Sequence, residues 1–217
     1  MSFTLVAGTS VAIASAYGTA KTMSAITNAA EAVATLEASH GIVVNDIVEI
    51  TSGWPALSGQ LARVKTVATN DVTLELINTS STTQFPTGSG AGSVRKVTTW
   101  QALGQIDADI GGSGGEQQFR QIRLLSQLEE IELPTTRTAT RLTLPYYDDP
   151  TAAWQAVVKA ARDSKSPRGV RLSFPNGYIT YGNGYWGMPD FPLPRDGVLG
   201  GDLTVNISAR ANTYASA

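Results

Sequence analysis

The chain has no cysteine and a single histidine, His40. The first absence removes disulfide staples, thiolate nucleophiles and thiolate metal sites at once. The second leaves any Ser-His-Asp triad or imidazole metal centre resting on one residue. His40 sits beside Gly41 between strand-like segments, where a turn role is the simpler reading. Charge is sparse as well: 16 cations against 18 acids leave a net charge of -2. No strong field favours nucleic acid or an anionic membrane. No apolar run reaches the ~18 residues that would span a bilayer. Phe3 to Ala16 ends in Ala14-Ser15-Ala16, as a cleavage site would. Yet no Lys or Arg precedes it, and Gly8, Thr9 and Ser10 interrupt it, so it reads as an N-terminal strand of a soluble protein.

What is present is a 217-residue chain, 42% hydrophobic, long enough to bury a sizeable core. Its organising stretch is Arg168 to Arg210. Val170, Leu172 and Phe174 alternate with Arg171 and Ser173, the period of a half-buried strand. Pro175-Asn176-Gly177 supplies a hairpin turn, and Tyr178-Ile179-Thr180 carries the chain back. After a Pro-rich crossing, Pro189 to Pro194, a last strand alternates Val205, Ile207 and Ala209 with Asn206, Ser208 and Arg210. Just before it, Ala153, Trp154, Val157, Val158 and Ala161 make one apolar helical stripe. Asp148 or Asp149 is expected to cap that helix, Pro150 suits its first turn, and Lys159 and Arg162 suit its end. One helix on one face of an antiparallel sheet is α+β architecture, with the other face left for a partner.

From about Ser24 the strands become short and closely spaced: Ala25 to Thr27, Ala32 to Leu36, Ile42 to Ile50, Leu61 to Val67 and Val72 to Ile77. Breaks fall at Gly53-Trp54-Pro55 and Asn70-Asp71, which suggests a small all-β barrel. Beyond Asn78 to Ser93, Thr98 to Ile106 is strand-like and Asp107 to Gly115 is a loop. Phe119 to Leu133 mixes strand and helix formers and stays open between the two. Pro134 to Arg137 reads as a break, and Ala139 to Leu144 alternates again.

The chemistry-bearing patterns fail one by one. Gly111-Gly112-Ser113-Gly114-Gly115 is followed by Glu116 and Gln117 rather than Gly-Lys-Ser/Thr, so it cannot cradle phosphate. Asp107 and Asp109 mimic the start of a calcium loop, but Gln118 stands where the bidentate Glu belongs. Asp148-Asp149 and Glu129-Glu130 are adjacent pairs, poor candidates for facing carboxylates. Arg120, Arg123, Arg137 and Arg141 are too thinly spread, with too few interleaved aromatics, for a nucleic-acid reader; they read as solvated or subunit-contact residues. Tyr181, Tyr185 and Trp186 could stack a sugar or base, but hairpin packing or a subunit contact accounts for them. No catalytic residue, cofactor or metal is assigned.

Two resemblances organise these pieces. The middle segment, with His40-Gly41, Asn45 to Ile50, Gly53, Val64 to Val67 and Val72 to Leu76, resembles a small β-barrel module found inserted in phage structural proteins. Asn45 stands where that module has Gly, a tolerable exchange in a turn. The remainder resembles the major tail tube protein of long, non-contractile-tailed phages. Trp100, the Asp107–Gln118 loop, Glu132-Leu133-Pro134, Leu142 to Pro150, Arg171 to Gly177, Gly197-Val198-Leu199 and Leu203 to Ser208 follow that family's order. The expected fold is mainly β (α+β), a tail-tube-type β-sandwich or barrel with one amphipathic helix plus an inserted small all-β barrel. Residues 1–23 and 97–217 would form the tube core and residues 24–96 the insert.

The resemblance implies a virion protein, made in the bacterial host cytoplasm, whose hexameric rings stack into a DNA-conducting tail tube. Its partners would be itself and other tail proteins (tape measure, terminator, distal tail), with DNA only as passing cargo and no membrane insertion. Asp107, Asp109, Gly111, Gly112, Gly114, Gly115 and Glu116 would make an inter-ring loop that is mobile in the monomer. Arg171, Ser173, Asn206 and Ser208 are candidates to face the lumen. The insert would decorate the exterior or brace neighbouring subunits. A head-tail connector, a terminal or distal tail ring, the tube of a bacterial injection machine and a carbohydrate-binding or hydrolytic β-protein remain alternatives.

Overall fold

The computed structural model describes residues 7–123, 125, 129–195 and 197–216; Phe3 and Leu5 lie outside the described residues. In chain order the elements begin with β1 (Ser10–Tyr17), β2 (Lys21–Ile26), β3 (Val33–Leu36), β4 (Ile47–Ser52), β5 (Leu61–Ala68), β6 (Asp71–Leu74) and the long β7 (Gly92–Ala102). There follow β8 (Gly111–Ser113), β9 (Gln117–Ile122), β10 (Ile131–Arg137), β11 (Arg141–Tyr147) and the helix α1 (Ala153–Ser164). The chain closes with β12 (Arg168–Ser173), β13 (Tyr178–Gly187), β14 (Leu193–Arg195), β15 (Val198–Ile207) and β16 (Asn212–Ala215). The protein is mainly β, as the sequence predicts, with half of its residues in strands and one helix among those described.

Strands β2, β3, β6, β5, β4 and β7 pair in that order, and β7 returns to β2, closing a six-stranded barrel. Met23, Val48, Ile50, Trp54, Val64, Leu74 and Val94 fill it. The turn before β4 works as expected: Asn45 holds φ 69°, the left-handed region that a Gly would occupy more cheaply. His40 ties two loops together, its Nδ1 accepting the Ile42 N–H and its Nε2 lying 3.0 Å from the Thr69 carbonyl. Strand β4 is buried on both sides because its outward residues also have partners. Ile47 packs toward the second sheet and Glu49 pairs with Arg95.

That second sheet runs β7-β1-β12-β13-β15-β11-β8, with β14 added to β15 and β16 to β13. Strand β7 belongs to both units, pairing with β2 and β4 through its first half and with β1 through its second. The hairpin β12–β13 turns where predicted, with Gly177 at φ 81°. One face of the sheet is covered by α1: Trp154, Val158 and Ala161 pack on Ile13, Tyr146, Val170, Trp186, Leu203 and Val205. Trp154 meets Tyr146 edge-on at 5.4 Å between ring centres.

Several local expectations fail for identifiable reasons. The helix starts at Ala153, and its N-cap, Ala152, has no side-chain cap. Asp149 instead accepts from the Thr151 amide and hydroxyl, an Asx turn that uses up Pro150 and Thr151 before the helix begins. Asp148 accepts from Gln155. Pro134 to Arg137 is strand, not break, because the two-stranded ribbon β9–β10 leaves each strand an open side where a proline costs nothing. Gly111 to Ser113 are strand, not loop, paired with Thr143 to Arg141. The strand expected over Ile42 to Ile50 begins only at Ile47, and β16 lies beyond the last strand that the alternation predicts.

Candidate assembly surface

Between Glu116 and Thr138 the chain leaves the sheet as the ribbon β9–β10, whose pairings run from Ile131↔Ile122 to Arg137↔Gln117, with a register shift after Pro134. Almost every residue of it is exposed, including Phe119 at 59% and Leu133 at 46%. An isolated two-stranded ribbon is marginal in water, and this one has no core of its own. Its root is built tightly. Gly114 and Gly115 hold φ 87° and 81°, the Gly115 amide donates to the Thr138 carbonyl, and the Glu116 amide donates to the Thr138 hydroxyl. A Cβ on Gly114 would sit 2.0 Å from the Ala139 carbonyl oxygen, so only glycine fits.

The residues expected to form one inter-ring loop are thus divided between places. The Asp107 amide donates to the Pro145 carbonyl and its carboxylate accepts from the Tyr147 hydroxyl, near the C-terminal end of β11. Asp109 is exposed beside it. Gly111 and Gly112 form the sheet edge, while Gly114, Gly115 and Glu116 lie at the arm's root near the other end of β11.

Alternation and register put Arg171, Ser173 and Asn206 on one face, opposite the helix. Arg171 is nonetheless half-buried, with its guanidinium 5.3 Å from the Trp100 ring centre. Asn206 is exposed among Arg141, Thr143, Thr204 and Tyr185. Ser208 lies just past β15, its amide and hydroxyl both donating to the Asn183 carbonyl.

The rest of this face is covered by the barrel. Ala14, Trp100, Ile179, Tyr181 and Tyr214 pack against Ile47, Leu61 and Val97. Polar groups close the seam: Asn183 donates to the Gly59 carbonyl, Asn212 to the Leu61 carbonyl, and the Tyr214 hydroxyl to the Glu75 carbonyl while accepting the Arg63 amide. Arg63 holds Glu75 at 2.6 Å, reaches the Ala215 carbonyl, and lies 4.8 Å from the Tyr214 ring centre. The hydrogen bond from Arg63 keeps the Glu75 carboxyl below the ordinary range. Burial pushes the Tyr214 phenol up to about 12. Tyr17 has the Arg95 and Arg168 guanidiniums 4.2 and 5.5 Å from its ring centre, and burial raises its phenol also.

At the far end of the sheet, β14 folds back on β15 and leaves Phe191, Leu193, Val198 and Leu199 at 80%, 69%, 52% and 50% exposure. Pro189, Phe191, Leu193 and Asp202 line a shallow cleft of about 360 Å³ there. Among the described residues there is no cluster of three His, Cys, Asp or Glu to hold a metal, and no helix long and apolar enough to cross a membrane. What the surface offers is contact: an arm without a core, a bare strand edge and an apolar tip.

Comparison with known proteins gives one family. Residues 52–216 match the family described as phage tail tube protein (TTP). No curated protein sequence matches. Among solved structures, a chain of one described as the cryo-EM structure of the anti-feeding prophage (AFP) baseplate, 6-fold symmetrised, aligns with 11% identity and a TM-score of 0.39. That alignment covers 55% of this chain and 86% of the other.

Proposed function

Because the chain belongs to the phage tail tube protein family, we propose that it is the repeating subunit of a long, non-contractile tail, forming hexameric rings that stack into a channel for DNA. Membership in that family makes it a structural protein of the phage tail, whose work is assembly. The observation that carries the finer reading is the arm. A ribbon with Phe119 and Leu133 in water is half of an interface, and a neighbouring copy supplies the other half. The short β8 edge offers unpaired backbone groups to a neighbour in the same way, and ring closure would consume that edge. Asn206, Thr143 and Thr204 would face the lumen as a polar, weakly charged wall along which DNA slides. The other tail proteins would meet the first and last rings.

Negative-stain microscopy and sedimentation of the purified chain test this directly. Rings or tubes with a central channel are expected, and replacing 117–137 by a short Gly-Ser linker should leave a folded subunit that no longer stacks. A chain that stays monomeric at high concentration with its arm intact overturns the proposal.

A further inference from the structure

We infer that the apolar tip formed by β14 and β15 is the seat for the β9–β10 arm of a second copy of this chain, set head to tail on the first. The inference rests on the tube reading and names where one copy holds the next. Strands β11 and β15 run antiparallel in register from Arg141↔Asn206 to Tyr147↔Gly200. This pair is roughly 23 Å long, and its two ends differ in chemistry. At one end Arg137, Arg141 and Arg210 are exposed beside Glu116, and from this end the arm departs. At the other end lie Asp148, Asp149, Asp190 and Asp202, of which Asp190 is paired with Arg162. The apolar tip belongs to this acidic end: Leu193 pairs with Gly200 and Pro194 with Leu199, directly beyond Asp202.

Each end thus carries half of a contact. The arm brings Phe119 and Leu133, flanked by Arg120 opposite Leu133 and by Glu132, while Arg123 is paired with Glu130. The tip brings Phe191, Leu193, Val198 and Leu199, with Asp202 in the same cleft and Arg195 in the same strand pair. Translating one copy along the strand direction lays the basic end and its arm over the acidic end and its tip. A two-fold pairing of like ends would oppose like charges and leave arm and tip both unmatched. Head-to-tail contact is heterologous and does not close on itself, so it repeats from copy to copy.

The absence of cysteine makes the test clean, since an introduced thiol is the only one in its chain. Phe119→Cys and Leu199→Cys variants are mixed under mild oxidant and compared with each variant alone. A further comparison mixes Phe119→Cys with Val43→Cys, an exposed barrel position. Docking raises the local concentration of the two thiols, so the first mixture should give a disulfide-linked dimer at least about ten-fold above all controls. Leu193→Cys in place of Leu199→Cys should reproduce it. Equal yields in the Val43→Cys control, or Phe119→Cys dimerising as well alone, overturn the docking. Microscopy of the unaltered chain reads the tube separately. Tubes without the specific dimer sink the docking and leave the tube standing; the specific dimer without tubes does the reverse.

Discussion

Gly114 decides where the arm points. Its left-handed φ and the Ala139 carbonyl 2.0 Å from a would-be Cβ leave no room for a side chain. Gly114→Val should therefore abolish assembly, read by sedimentation, while the melting temperature moves by no more than about 2 °C because the strain is confined to an exposed root. Gly104→Ala is the control, since its Cβ would meet only the Trp154 indole nitrogen at 3.9 Å. If Gly114→Val assembled normally, the arm's aim would be irrelevant to stacking. Tyr214 governs the seam in alkali. Its folded pKa, about 12 against an ordinary 10.0, is raised, so the stabilisation is complete below the unfolded value and is lost as pH rises through the folded one. Melting temperature should fall between these two values, with Tyr17 and Tyr181 adding to the fall because burial raises them too. Tyr214→Phe should shrink that fall while costing about 1 kcal/mol at neutral pH from the lost bonds. An unchanged alkaline profile in that variant would remove Tyr214 from the account. At this scale Asn45 was legible because its turn is local. Asn183, Asn212 and Tyr214 were not, because their partners lie 124, 151 and 139 residues away.

Elements were legible where periodicity and burial agree. The stripe of Ala153, Trp154, Val157, Val158 and Ala161 predicts a helix, and in it Trp154, Val158 and Ala161 are buried and Val157 half-buried, while Ala153 is exposed. Trp154→Ala should cost about 3–5 kcal/mol and lower the melting temperature by about 10 °C, since it empties the space beside Tyr146. A shift under 2–3 °C, by calorimetry, would mean α1 is dispensable to the sheet it covers. The arm was illegible for a physical reason: its residues are buried on neither face, so no alternation was imposed, and Pro134 reads as punctuation. Likewise the glycines of β8 have no side chains from which a strand could be read; their pairing with β11 is purely backbone.

For the whole molecule, the sequence spoke clearly for a barrel and for a helix-covered sheet, but not for the seam between them. Ala14, Trp100, Tyr181 and Tyr214 look like scattered aromatics and alanine in the chain, and become one cluster only when Ile47 and Leu61 of the barrel arrive. A barrel that merely decorated would be removable. This one covers aromatic surface, so deleting 24–96 with a short linker should expose Trp100, Tyr181 and Tyr214 and give a chain that aggregates before it can assemble. A truncated chain that stays monodisperse in light scattering, with the parent's melting temperature, would show that the seam contributes nothing.

The long strand β7 has a mechanical meaning beyond its pairing. Its residues pass from barrel to sheet without a turn, hydrogen-bonded first to β2 and β4 and then to β1. Register shifts in the β1–β7 ladder between Ala14 and Tyr17 fall at that crossing, and the packed seam of Ile47, Leu61, Tyr181 and Tyr214 holds the barrel against the sheet across them. Any tilt imposed on the wall of a tube would be delivered to the barrel as a rotation of the same sense. A dye pair placed on the barrel and on α1 should hold one separation in free subunits and in tubes alike, making the insert a rigid pointer to the attitude of the wall that bears it.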